Sequence, residues 1–164
     1  MNKERYDKIR QWFLLHPVWL SSMKLLNLWL PRIVYCAYPV LLAVLAIRRD
    51  ERFFQVLLIP AFVFGAVTVM RKLWNLPRLY EKLGIEPLIP REKRGHSFPS
   101  RHVASVTIIA VACWYIWPPI GIAMSVIALL IAVIRPLAGI HFPKDVIAGM
   151  VFSLLTGIIG FWLV

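Results

Sequence analysis

Five apolar stretches recur along this chain, at residues 33–47, 53–70, about 100–117, 119–134 and 146–164, and charge is absent from all but the start of the third. They suit a hydrocarbon layer of about 30 Å, which a helix of roughly 20 residues crosses. A backbone in lipid must satisfy its own hydrogen bonds, and nothing in the sequence alternates with a strand period, so the spans read as helices. The expected fold is all-α: an integral membrane helical bundle with five or six transmembrane helices, one domain over 1–164. A hydrophobic share of 60%, against roughly 45–50% in soluble domains, agrees with this.

The connections divide the spans into hairpins. "RRDER" (48–52) and "WPPIG" (117–121) are tight, whereas 71–99 is long, basic and proline-punctuated, and is expected to lie at the surface over the active site. Residues 5–30 are apolar but interrupted by Arg10, His16, Pro17, Ser21, Ser22, Lys24 and Asn27. The preferred reading is an interfacial amphipathic helix over a sixth span. The basic N-terminus lacks a small-residue cleavage site and reads as retained. Cys36 and Cys113 sit in apolar runs and read as small hydrophobes, and the tryptophans as an interfacial aromatic belt.

A formal net charge of +11 fits nucleic acid, anionic lipid or an anionic substrate. No water-facing domain is available to present a basic stripe, which excludes nucleic acid as the partner and leaves membrane lipids. Arg32, Arg48, Arg49, Arg52, Arg91, Lys93 and Arg94 are assigned to lipid headgroups.

Ionisable residues collect where alternating spans bring 71–99, 99–102 and 135–145 to one membrane face. In "RPLAGIHFPKD" (135–145), Pro143 suits the first turn of a helix and places His141 just outside it. Asp145 can reach back to the imidazole, fix its tautomer and leave the other nitrogen as nucleophile or base. Arg135 is an anion clamp. In "HSFPSRH" (96–102), Pro99 in a helix first turn and Ser97 as N-cap would present the amides near Ser100 and Arg101 to a phosphate, with His102 as general acid. Arg71 and Arg78 flank the exit of the second span. Two imidazoles, one carboxylate and several arginines read as a phosphoryl-transfer site. Few carboxylates are present to hold Mg²⁺, so no metal or cofactor is expected. His16 and His96 have no partner at a telling spacing and read as structural or solvated.

The pattern resembles the type 2 phosphatidic acid phosphatase superfamily, which includes glucose-6-phosphatase and vanadium haloperoxidases and carries the motifs KxxxxxxRP, PSGH and SRxxxxxHxxxD. Here stand Arg71-x6-Arg78-Leu79, Pro99-Ser100-Arg101-His102 and Ile134-Arg135-x5-His141-x3-Asp145, in the same order and spacing. The resemblance implies that His141 attacks phosphorus to form a phosphohistidine, Asp145 orients it and His102 protonates the leaving group. Arg71, Arg78, Ser100, Arg101 with its amide, and Arg135 would bind the phosphoryl oxygens. The substrate would be a phosphorylated membrane lipid: a polyprenyl diphosphate, a phosphatidate or a phosphatidylglycerophosphate. Arg71 in place of Lys keeps the charge. Leu79, Ile134 and Arg101 replace Pro, Ser and Gly, and Arg101 adds a cation that favours a more anionic substrate. These departures motivate one rival, a non-catalytic headgroup binder or transporter. A second rival, a haloperoxidase, is disfavoured by a chain built for lipid. The protein is placed in the cell membrane as a multi-pass protein; cation asymmetry and the resemblance point to opposite faces for the site.

Overall fold

The computed structural model describes residues 1–91 and 94–163. The headgroup reading of Lys93 lies outside the described residues.

The first helix, α1, covers Lys3–Leu15 and is capped by Asn2, whose side chain accepts the Arg5 amide at 3.0 Å. It stops at His16, because a residue before proline is pushed out of the helical region and Pro17 is suited to begin the next helix. From Pro17 a single helix, α2, runs 31 residues to Ile47 with Pro31 and Pro39 inside it. At 1.5 Å per residue it is about 46 Å long. The expected interfacial helix over 5–30 is therefore two helices: 3–15 stands alone, and 17–30 is continuous with the first span.

After a turn at Arg48–Arg52, α3 covers Phe53–Trp74 and ends on Asn75 in the left-handed region. The long surface segment contains a short helix, α4 (Leu79–Leu83), closed by Gly84. Helix α5 covers Arg101–Ile116, α6 covers Pro118–Leu137 and α7 covers Pro143–Ile158, continued by a π-helical turn over Ile159–Leu163. Four spans, built on α2, α3, α6 and α7, are long and apolar enough to cross a membrane. Helix α5 is shorter, at 16 residues. It contacts α2, α3, α6 and α7, and every residue from Val103 to Cys113 is buried. The outer helices instead present Leu58, Phe62, Val126, Leu129 and Ile147 outward, as lipid-facing helices do. The result is a multi-pass membrane bundle with α5 as its axis.

Two glycines set the site's geometry. A Cβ at Gly149 on α7 would lie 2.7 Å from the Ser100 carbonyl oxygen, so only glycine lets α7 approach the start of α5. The Ser153 hydroxyl, one turn on, lies 2.9 Å from both the Ala104 carbonyl on α5 and the Gly149 carbonyl of its own helix, and so stands at the contact of the same pair of helices. Gly139, at φ +79°, abuts the Tyr6 hydroxyl.

Tyr6 fastens α1 to the site end of the bundle. It is fully buried; its hydroxyl accepts the Leu88 amide at 3.1 Å and donates to the Glu86 carbonyl at 3.4 Å, beside an Arg10–Glu86 ion pair of 2.6 Å. Leu88 also donates to the Ala138 carbonyl at 3.1 Å, so α1, the surface segment and the turn before His141 form one clasp. Tyr6→Ala is expected to cost about 3–5 kcal/mol, the usual loss for truncating a buried aromatic ring. Tyr6→Phe should lose only about 1 kcal/mol for the hydrogen bonds. Melting of the detergent-solubilised protein checks this, and equal melting of Tyr6→Ala and unmutated protein would show that α1 is not docked.

Candidate active site

Three pieces of chain meet at one end of the bundle. The last turn of helix α6 carries Arg135, and the turn that follows the helix carries His141. The first turn of α7 carries Asp145. The start of α5 carries Ser100, Arg101 and His102. The last turn of α3 and the segment after it carry Arg71 and Arg78. Arg71, Arg78, Ser97, Ser100, Arg135, His141 and Asp145 are all buried, while His102 and Arg101 are half-buried.

Asp145 is a capping carboxylate. Its Oδ2 accepts the Phe142 amide at 3.2 Å and reaches His141 Nδ1 only at 3.6 Å. Ser97 fills the gap: its hydroxyl lies 2.5 Å from Asp145 Oδ2 and 3.2 Å from His141 Nδ1. A hydroxyl has one hydrogen to donate. Given to the carboxylate, it leaves the serine oxygen to accept Nδ1–H. The chain Nδ1–H to Ser97 Oγ–H to Asp145 thus holds the imidazole in the tautomer whose Nε2 lone pair is free. Sequence reasoning missed this role and gave Ser97 to the N-cap of α5. The cap is Ser100, and α5 begins at Arg101, two residues after Pro99.

The Ser100 amide is also not open to a phosphate, since it donates to the Asp145 carbonyl at 2.8 Å. That bond docks the start of α5 on α7. The hydroxyl of Ser100 and Nε of Arg135, by contrast, are buried and have no hydrogen-bond partner among the described residues. Such groups are costly to leave unpaired, and these two stand at the same end of the bundle as His141 and Asp145.

The other arginines first organise the backbone. Arg71 Nη1 donates to the carbonyls of Ser97 and Pro99 at 3.1 and 2.8 Å, and Arg78 Nε to that of Gly95 at 3.1 Å. Glu81 accepts the Arg78 amide at 2.7 Å and the Gly95 amide at 2.9 Å. His96, read from sequence as unpartnered, hydrogen-bonds through Nδ1 to the Arg71 carbonyl at 2.8 Å. The Arg101 guanidinium lies over the Phe64 ring at 5.3 Å and faces the cavity that Arg71 and Arg78 line. Arg91, assigned to headgroups from sequence, also acts electrostatically on His102 and Arg135.

Burial holds the His141 imidazole at about 4, well below its ordinary 6.5; the charges of Arg135 and Arg78 act in the same direction, against the hydrogen bonding and charge of Asp145. A buried imidazole that stays neutral is poised to attack. Asp145 is committed to Ser97 and Phe142, and among the described residues no three His, Cys, Asp or Glu side chains converge as a metal site.

The model of the PAP2 superfamily matches residues 52–164. The chain belongs to this superfamily. All three PAP2 motifs fall inside the matched region, whereas α1 and α2 precede it. Among curated proteins, the lipid A 1-phosphatase of Rhizobium etli is 37% identical over 67 residues, covering 38% of this chain and 29% of that protein. The lipid A 1-phosphatase of Rhizobium johnstonii gives 37% over 67 residues and 28% of its length. The match thus spans less than a third of these relatives. Among solved structures, Aquifex aeolicus LpxE superposes with a TM-score of 0.74 at 27% identity, covering 97% of this chain and 93% of that one. The PAP2-type phosphatidylglycerolphosphate phosphatase of Bacillus subtilis gives 0.50 at 21%, covering 94% and 93%, a likeness of fold.

Proposed function

We propose that this protein is a metal-independent phosphatase that removes a phosphoryl group from a membrane lipid through a phosphohistidine. The observation that carries this reading is the His141–Ser97–Asp145 chain at the end of the bundle where Ser100, docked by its amide on the Asp145 carbonyl, and Arg135 each keep a buried polar atom without a partner among the described residues. The chain supplies a nucleophile with a fixed tautomer, and the unpartnered groups supply donors for an anion. Membership of the PAP2 superfamily and the likeness to lipid A 1-phosphatases support the same assignment.

In the first step Nε2 of His141 forms a bond to phosphorus while the P–O bond to the lipid breaks, and His102 gives its proton to the departing oxygen. Arg78, Arg135 and Ser100 bind the phosphoryl oxygens and stabilise charge in the transition state. Arg71 holds the 97–99 backbone and adds its charge, and Arg101 contributes from the cavity side. In the second step water attacks phosphorus, the P–N bond breaks, His102 takes the water's proton, and inorganic phosphate leaves. The substrate is a phosphorylated lipid of the prenyl diphosphate, phosphatidate or phosphatidylglycerophosphate kind, presented from the bilayer to the site end of the bundle. The whole chain acts as one unit.

Purified protein is expected to release phosphate from such lipids with a chelator present. Silence across a panel containing both monophosphates and diphosphates would sink the reading. A pH profile tests the nucleophile. Because folding lowers the His141 value, the neutral, reactive form persists as pH falls below 6.5 and is lost only toward about 4. The acid limb of kcat/KM, corrected for ionisation of the substrate's own phosphate, should therefore lie below 6.5. A limb at or above that value contradicts a buried His141 as the attacking group.

A further inference from the structure

Beside the His141 cluster, at the end of α3, the 94–96 segment and the start of α5, lies a cavity of about 420 Å³. Arg71, Lys72, Arg78, Arg94 and Arg101 line it, and among the described residues no Asp or Glu does. Cations around one space repel, and Arg71 feels both Arg78 and Arg101. Among the described residues the neighbouring carboxylates, Asp145 and Glu81, are committed elsewhere. Asp145 accepts from Ser97 and Phe142, and Glu81 from the Arg78 and Gly95 amides. Among the described residues, none of Lys72, Arg94 and Arg101 has a carboxylate within ion-pair distance. The Phe64 ring under Arg101 orients the guanidinium without neutralising it. Of Ser100, Arg78 and Arg135, the donors proposed for the attacked phosphoryl group, Arg78 alone belongs to the lining of this space, so an anion seated there would meet Lys72, Arg94 and Arg101 as well. Arg101 is also the cation that stands where the PAP2 motif has glycine.

We propose that Lys72, Arg94 and Arg101 form a second anion subsite, which holds a further phosphoryl group of the substrate next to the one that His141 attacks. The inference deepens the phosphatase reading and rests on it for the identity of the first group. It makes lipids with two neighbouring phosphoryl groups better substrates than those with one.

Binding of inorganic phosphate and pyrophosphate to the purified full-length protein, read by calorimetry without turnover and with a chelator present, tests the subsite. Pyrophosphate should bind about tenfold more tightly than phosphate, a difference that two charge-assisted contacts readily supply. In Arg101→Gln combined with Lys72→Ala the ratio should collapse to roughly threefold or less, while Arg48→Ala, on the opposite end of the bundle, keeps it. If the double variant fails to fold, as judged by melting, Lys72→Ala and Arg94→Ala alone should each lower the ratio about threefold. A ratio near one in the unmutated protein, or one that survives these substitutions, overturns the subsite. Tight pyrophosphate binding with no phosphate release from any lipid overturns the phosphatase reading and leaves the subsite standing. Equal kcat/KM on a prenyl monophosphate and its diphosphate, with a binding ratio near one, removes the subsite alone.

Discussion

His141→Ala is expected to lower phosphate release by at least about 10⁴-fold, because removing a covalent nucleophile removes the pathway and leaves only binding and electrostatics behind. The site offers no substitute. The only other imidazole proposed to act there, His102, is assigned to the leaving group, and Ser97 is held 2.5 Å from the Asp145 carboxylate, with its proton directed inward. The fold should survive, since His141 stands in the turn between α6 and α7 and makes its polar side-chain contacts to Ser97 and Asp145 among the described residues. Rapid quenching of the unmutated protein with a radiolabelled lipid phosphate should trap label on a base-stable, acid-labile histidine, and His141→Ala should trap none. Release by His141→Ala at the unmutated rate would mean that water attacks directly. Label on the unmutated protein is also what separates an enzyme from a headgroup binder.

His102→Ala should lower kcat by about 10²–10⁴-fold, the usual worth of a general acid. Its signature lies in the leaving group. A lipid alkoxide needs a proton to depart, whereas a nitrophenolate does not, so the loss should shrink to about tenfold or less on an aryl phosphate. A loss of equal size on both substrates would place His102 in binding and not in proton transfer. His102 is half-buried at the second position of α5 and has no hydrogen-bond partner among the described residues, which leaves its ring free to meet a substrate oxygen. Arg101, its neighbour, turns toward Phe64, so the two adjacent side chains serve different parts of the site.

What could be read from sequence depended on the distance along the chain over which each interaction acts. Arg135, His141 and Asp145 were legible because one turn and one helix start fix all three, and Pro143 marks that start. The apolar spans were legible for the same reason. Ser97 was not: its partner Asp145 lies 48 residues away, and locally it looks like a helix cap. The Ser100 amide failed similarly, since the Asp145 carbonyl that takes it belongs to another helix. Residues 17–30, for which an interfacial helix was preferred to a span, are continuous with the first span, and His16, Pro17, Lys24 and Asn27 look like interruptions only in the sequence. In a membrane helix, neighbouring helices and local adjustments accommodate proline. Arg91 lacked any local mark, because its electrostatic partners His102 and Arg135 come from elements that only the fold brings near.

The burial of α5 has a consequence for biogenesis. A 16-residue helix that starts with Arg101 and His102 and carries Ser105 and Thr107 inside is poorly suited to enter a bilayer by itself. Its neighbours α2 and α3 precede it and cover part of its surface, and α6 and α7, synthesised after it, complete the cover. His102 rides on α5, while His141 and Asp145 lie between α6 and the start of α7, so the same docking that retains α5 also brings His102 to the end of the bundle that holds His141 and Asp145. The end of the bundle that gathers His102, His141 and Asp145 is therefore complete only once α7 is in place.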